Sequence, residues 1–159
     1  MSIMVREAPI RQRPTVVVSG VASDAHTWNL AYLQMLIEEL GYPVVNLGPC
    51  VPDDVMVERC LELSPALIAL GSVNGHGYTD GLRVAAQLRD RAQLADVPLV
   101  IGGNLGTAGE LDARQVERLF AAGFDAVFQG GQRGIGDFRR FVNALRGPAS
   151  RLPVGEYRS

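Results

Sequence analysis

The sequence predicts an α/β fold in which a doubly wound, five-stranded parallel sheet carries helices on both faces. Three observations predict it. Short apolar, β-branched runs alternate five times with amphipathic stretches. None of the runs shows the period of two that marks a strand with one wet face, as befits strands covered on both sides. The links between them are short, so each strand is expected to pair parallel to its neighbours through a helical crossover.

In order, residues 15–19 (TVVVS), 44–47, 67–70, 99–101 and 126–128 read as strands. Between and after them, 27–40, 53–63, 80–92, 112–122 and 135–145 read as helices. In the first helix Leu30, Leu33, Ile37 and Leu40 recur at helical spacing, and Gly41 follows as a C-terminal stop. Pro52 and two aspartates mark the entry to the second helix. Residues 15–146 form one expected domain, with 1–14 and 147–159 as tails; Gly147-Pro148 and Pro153 mark the exit from the fold.

Composition excludes several chemistries. All 15 basic residues are arginine, and the only histidines are His26 and His76. Without lysine there is no Schiff-base enzyme and no Walker P-loop. A three-histidine zinc site cannot be assembled from one chain. The net charge of −2 gives no basic footprint for nucleic acid. No apolar run approaches the roughly 20 residues of a membrane span, and the first 14 residues lack the apolar core of a signal peptide. A cytoplasmic protein is expected. Cys50 and Cys60 have no metal or redox spacing and read as buried thiols.

In an open parallel sheet, ligands sit beyond the carboxyl ends of the strands. Here those ends are crowded with glycine: Gly20 after the first, Gly48 after the second, Gly71, Gly75 and Gly77 after the third. The fourth leads into Gly102-Gly103-Asn104-Leu105-Gly106-Thr107, and the fifth into Gly130-Gly131. Such an edge has little side-chain bulk, as suits close approach of a ligand to backbone. Both histidines fall on it. In Asp24-x-His26 a carboxylate two residues away can accept the proton of one imidazole nitrogen, fixing the tautomer and raising the basicity of the other. One imidazole is too few ligands for a protein-built metal site, but it suffices for a metal already held by a macrocycle.

Ser23-Asp24-Ala25-His26, the loop Gly71-Ser72-Val73-Asn74-Gly75-His76-Gly77 and Ile101-Gly102-Gly103-Asn104-Leu105 together resemble cobalamin (B12)-binding domains of flavodoxin-like or Rossmann-like fold. Within them the chain is similar to the small subunits of glutamate (methylaspartate) mutases. Gly41-Tyr42-Pro43-Val44-Val45-Asn46-Leu47-Gly48 and Gly123-Phe124-Asp125-Ala126-Val127 share that likeness, which spans roughly residues 15–146. The resemblance implies that His26 displaces the nucleotide base of cobalamin and ligates cobalt, with Asp24 orienting it and Ser23, Ala25 and Thr27 flanking the cofactor. The freed tail would enter a channel between sheet and helices. Gly71, Ser72 and Val73 would line one side of it, Gly102 to Thr107 the other, with Gly130 and Gly131 completing the set. The implied cofactor is adenosylcobalamin, and the implied reaction the radical interconversion of L-glutamate and 3-methylaspartate. The implied partner is a separate, large barrel-type subunit that binds the amino acid, in a heteromer of two plus two. No catalytic residue is then expected in this chain beyond ligation of the cofactor.

The chain departs from that pattern in three places. Asn29 stands where the pattern has a glycine three residues after the histidine, either against the cofactor or reshaping the start of the first helix. Gly71 and Val73 stand in the Ser-x-Leu positions, so a hydroxyl comes from Ser72 or is missing. Gly130-Gly131-Gln132 replaces a Pro-Gly-Thr-like turn.

Two other classes compete. A corrinoid methyl carrier or B12-dependent regulator usually has a helical module ahead of the domain, against the fourteen residues here. A flavodoxin-like domain for another nucleotide could cradle phosphate on residues 102–109, but it lacks Gly-x-Gly-x-x-Gly after the first strand. Trp28 is expected in the core, with a place beside the corrin as the alternative. His76 reads as a solvated loop residue or a site residue, and Arg133 as surface.

Overall fold

In a computed structural model, which describes residues 14–145, the five parallel strands are β1 (Val16–Gly20), β2 (Val44–Asn46), β3 (Leu67–Ser72), β4 (Leu99–Gly103) and β5 (Ala126–Phe128), in the order β2-β1-β3-β4-β5. The expected tails, Pro14 apart, lie outside the described residues. The helices are α1 (Trp28–Glu39), α2 (Asp53–Leu63), α3 (Gly77–Arg89), α4 (Ala113–Ala122) and α5 (Gln132–Ala144).

Successive residues of a strand point to opposite faces, and here both faces are buried. Val16, Val18, Leu67, Ala69, Val100 and Ala126 pack with Leu30, Leu36 and Ile37 of α1 and Phe138, Phe141 and Val142 of α5. Val17, Ile68, Leu70, Leu99 and Ile101 pack on the other face with Met56 and Cys60 of α2, Val84 and Leu88 of α3 and Leu119 of α4. Two apolar layers against one sheet explain why the strand sequences lack alternation. Burial pushes the Cys60 thiol up to about 12, so it is an inert core group. Cys50, expected to be buried as well, is exposed on the turn after β2, where its backbone is left-handed with φ +50°.

The structure shifts several boundaries. β3 and β4 run on through Gly71-Ser72 and Gly102-Gly103, which pair in register as Gly71↔Gly102 and Ser72↔Gly103. Glycine carries no strand propensity, so backbone pairing alone decides these ends. α3 starts at Gly77 rather than at 80, because the Asp80 N–H already bonds the His76 carbonyl. It ends at Arg89, followed by a 3-10 turn over Ala92–Leu94. α5 starts at Gln132 rather than 135, its first turn closed by the Ile135 N–H on the Gly131 carbonyl. α4 is entered through a capping box, Asp112 accepting from the Gln115 amide while the Gln115 side chain accepts from that of Asp112.

The strand order reverses between β1 and β3, so their carboxyl ends open a crevice at the switch point. The loops that carry Asp24, His26, Ser72 and Val73 meet there.

Candidate cofactor site

Asp24 is 1% exposed and sits under its own loop. Its Oδ1 accepts from the His26 amide at 3.0 Å and lies 2.7 Å from His26 Nδ1. Its Oδ2 accepts from the Val73 amide at 2.7 Å, the Asn74 amide at 3.2 Å and the Ser72 hydroxyl at 3.2 Å. Burial alone would raise the carboxyl. The backbone N–H groups of His26 and Val73, with the His26 and Ser72 side chains, outweigh it and hold Asp24 at about 2. An ionised carboxylate only accepts hydrogen bonds, so Nδ1 is the donor in this contact, and the neutral tautomer that the contact selects has its lone pair on Nε2. The His26 side chain is half exposed, and Nε2 lies on the side of the ring away from Asp24.

A second layer holds the loop from beneath. The amide and hydroxyl of Ser23 both donate to Asp80 Oδ2, at 3.2 and 2.5 Å. Arg83 bridges Asp80 Oδ1 at 3.0 Å to Asp53 at 2.6 Å, and Gln87 reaches the same Asp53. Although Asp80 is largely buried, Ser23 and Arg83 keep its carboxyl below the usual range. The Asn74 carboxamide spans the crevice, donating to the Ser23 carbonyl and hydroxyl and accepting from the His76 amide. The β1 loop, the β3 loop and α3 are thereby locked into one unit around Asp24.

Beside this unit a slot of about 240 Å³ runs between the sheet and helices α1 and α5. Its floor is the face of the sheet bearing Ala69, Gly71 and Gly102, and its walls include Leu33 and Leu36 of α1, Phe128 of β5, and Ile135 and Phe138 of α5. Small residues on adjacent strands create it: a Cβ at Gly71 would come within 3.2 Å of Leu30 and Leu33 side-chain carbons, and one at Gly102 within 3.3 Å of Phe128. Trp28, expected in the core, is 66% exposed and stands at the slot.

The expected residues divide between these features. Gly71, Val73, Gly102, Gly103, Asn104 and Gly131 line the slot. Ser72 does not, because it follows Gly71 on β3 and so faces the other side of the sheet, where it serves Asp24. Leu105 is buried in the opposite core layer. Gly106 and Thr107 lie off the slot, in a turn closed by a bridge from Gly106 to Gly109. Gly130 is also off the lining, packed near Glu110. Ser23, Ala25, His26 and Thr27 are exposed at the mouth of the crevice. His76 is exposed at the start of α3, and Arg133 is exposed on α5. Asp80, Asn74 and the walls from α1 and α5 were not expected. The polar pairs join residues about fifty positions apart, a separation at which sequence carries no signal.

The B12 binding domain model matches residues 14–136. The chain belongs to the B12-binding domain family. It is 31% identical to the glutamate mutase sigma subunit of Clostridium cochlearium over 138 residues, 83% of this chain and 98% of that one. To the same subunit of Carboxydothermus hydrogenoformans it is 35% identical over 117 residues, 73% and 84% of the two chains. A solved cobalamin-binding protein from Desulfitobacterium hafniense superimposes with a TM-score of 0.65 at 21% identity, covering 81% of this chain and 59% of that one. That likeness shows the fold, and this chain spans about three-fifths of the solved one.

The residues present fit a corrinoid on structural grounds. One half-exposed imidazole is held through Nδ1 by a carboxylate, which leaves its other nitrogen unengaged by Asp24. An apolar slot opens next to it, and Asn29, one of the residues lining that slot, has a buried carboxamide oxygen with no hydrogen-bond partner among the described residues. Among the described residues there is no group of three or more His, Cys, Asp or Glu side chains that could hold a metal ion. No helix among them is long and apolar enough to cross a membrane.

Proposed function

We propose that this chain is the cobalamin-carrying small subunit of an adenosylcobalamin-dependent mutase of the glutamate mutase type, acting with a large barrel-type subunit that binds the amino acid. The observation that carries the reading is the Asp24–His26 pair at the switch point, beside a slot that the fold leaves open. The sigma-subunit relatives support the same assignment.

When bound, the adenosyl cofactor supplies radical chemistry for a carbon-skeleton rearrangement. The chain's own residues bind and orient. His26 would hold the cofactor through Nε2, the ring nitrogen not engaged by Asp24. Asp24 keeps the Nδ1 proton in place and, by remaining ionised, strengthens the donor at Nε2. Ser72, Val73 and Asn74 hold Asp24, and Ser23 and Asp80 hold the loop. The slot formed by Gly71, Gly102 and the α1 and α5 walls would hold the cofactor's nucleotide tail and shield it from water.

Titrating the chain with cobalamin and following the corrinoid spectrum tests the first half. A saturable change to the form with its own base displaced is expected, and an unchanged spectrum would contradict it. Adding the large subunit of a glutamate mutase and L-glutamate tests the second half. Formation of 3-methylaspartate only when both chains are present is expected; demethylation of bound methylcobalamin by a methyltransferase, without mutase activity, would assign the chain to methyl transfer instead.

A further inference from the structure

Asn29 lies in the first turn of α1 and is 9% exposed, and its Oδ1 has no hydrogen-bond partner among the described residues. A partnerless buried carboxamide oxygen destabilises a fold, so packing alone would favour an apolar residue there. The sheet opposite is cut back to admit it: a Cβ on Gly71 would lie 3.0 Å from Asn29 Nδ2. The space thus made is part of the slot, whose other walls around Asn29 are Leu33, Leu36, Phe128 and Phe138. Ligand slots are typically apolar with a few placed polar groups that fix orientation. At about 240 Å³ the slot exceeds the roughly 150 Å³ that suits a benzene ring, and so suits a bicyclic one.

We infer that Asn29 is the specificity-determining group of the slot, its carboxamide hydrogen-bonding the ring edge of a nitrogen heteroaromatic base on the ligand's tail. This rests on the cobalamin reading above. A carboxamide presents a donor and an acceptor, and a half-turn about its last torsion exchanges them. A ring nitrogen can therefore accept from Nδ2, while a tail aromatic without nitrogen leaves the carboxamide unpaired.

The test uses the full chain and two probes, cobalamin with its benzimidazole base and a cresolyl cobamide whose tail ring has no nitrogen. Affinities are measured by spectral titration for wild type and for the nearly isosteric Asn29→Leu. The expected result is a loss of about three- to tenfold for cobalamin, the worth of one net hydrogen bond. For the cresolyl cobamide, binding is unchanged or tighter. The cost of displacing cobalamin's base is common to both proteins and cancels from the comparison. The ligand-free variant is expected to melt higher than wild type, because its buried orphan oxygen is gone. Equal changes for both cobamides, no change for either, or a lower melting temperature would overturn the inference while leaving cobalamin binding intact. Failure of wild type to bind either cobamide would overturn the cobalamin reading itself, and this inference with it.

Discussion

Replacing Asp24 with asparagine removes one charge and no volume, and the structure sets the size of the effect. Five groups donate to the carboxylate: the His26 amide and Nδ1 on Oδ1, and the Val73 and Asn74 amides with the Ser72 hydroxyl on Oδ2. An asparagine must turn its NH₂ toward at least two of them, so at least two donors lose their acceptor. The carboxyl is held at about 2 against an ordinary 3.8, a difference of nearly two units, which corresponds to about 2 kcal/mol of stability at neutral pH. The loss of charged hydrogen bonds gives the same order. Because the folded-state pKa is depressed, this stability is fully present above pH 4 and is lost as pH falls toward 2. Urea denaturation followed by far-UV circular dichroism should therefore show Asp24→Asn about 2 kcal/mol less stable than wild type at pH 6, with the gap closing between pH 4 and 2. A gap under about 0.5 kcal/mol at pH 6, or one that does not change with acid, would refute the claim that an ionised Asp24 pins these loops.

Other consequences are equally direct. Gly103 has φ +123°, and a Cβ there would sit 2.0 Å from the Ser72 carbonyl oxygen, so Gly103→Ala should cost about 4 kcal/mol or more and lower Tm by at least about 10 °C in a thermal melt. A melt within 3 °C of wild type would show that the β3–β4 ends are softer than described. Asp80→Ala leaves Arg83 its partner Asp53 but deprives the Ser23 amide and hydroxyl of their acceptor, and hydrogen exchange at the Ser23 amide should accelerate at least about tenfold. Gly71→Ser should narrow the slot against Asn29, Leu30 and Leu33 and weaken cobalamin binding by about tenfold or more, an effect that Asn29→Gly in the same chain should relieve. Unchanged affinity in the single variant would place the tail elsewhere.

The alternation of apolar runs made the sheet and its helices legible, because β1 and β3 are buried throughout, β4 and β5 for the most part, and the runs are mainly β-branched or aliphatic. Asp24-x-His26 was legible too, since a two-residue spacing within one loop is a local signal. Other parts depend on geometry that no local pattern encodes. Ser72 was expected in the slot, but the alternation of a strand sends it to the opposite face, and only the continuation of β3 through Gly71 reveals its parity. Asp80 reads as an ordinary acid in the first turn of a helix, although it is the anchor of the Ser23 loop. Asn29 did carry a signal: with Leu33 and Leu36 it shares the spacing of one helix face, so a polar residue sat in an apolar stripe. Trp28 was misplaced because an aromatic on an amphipathic helix usually packs inward, whereas here the space beneath it is the slot.

Electron paramagnetic resonance of the reduced cobalamin complex tests the central claim, that His26 is the lower ligand of cobalt, most directly. With ordinary histidine the cobalt lines should each split into three, with ¹⁵N-labelled histidine into two, and His26→Ala should abolish the dependence on the label. Splitting indifferent to the label, or a label-dependent pattern that survives in His26→Ala, would contradict the account.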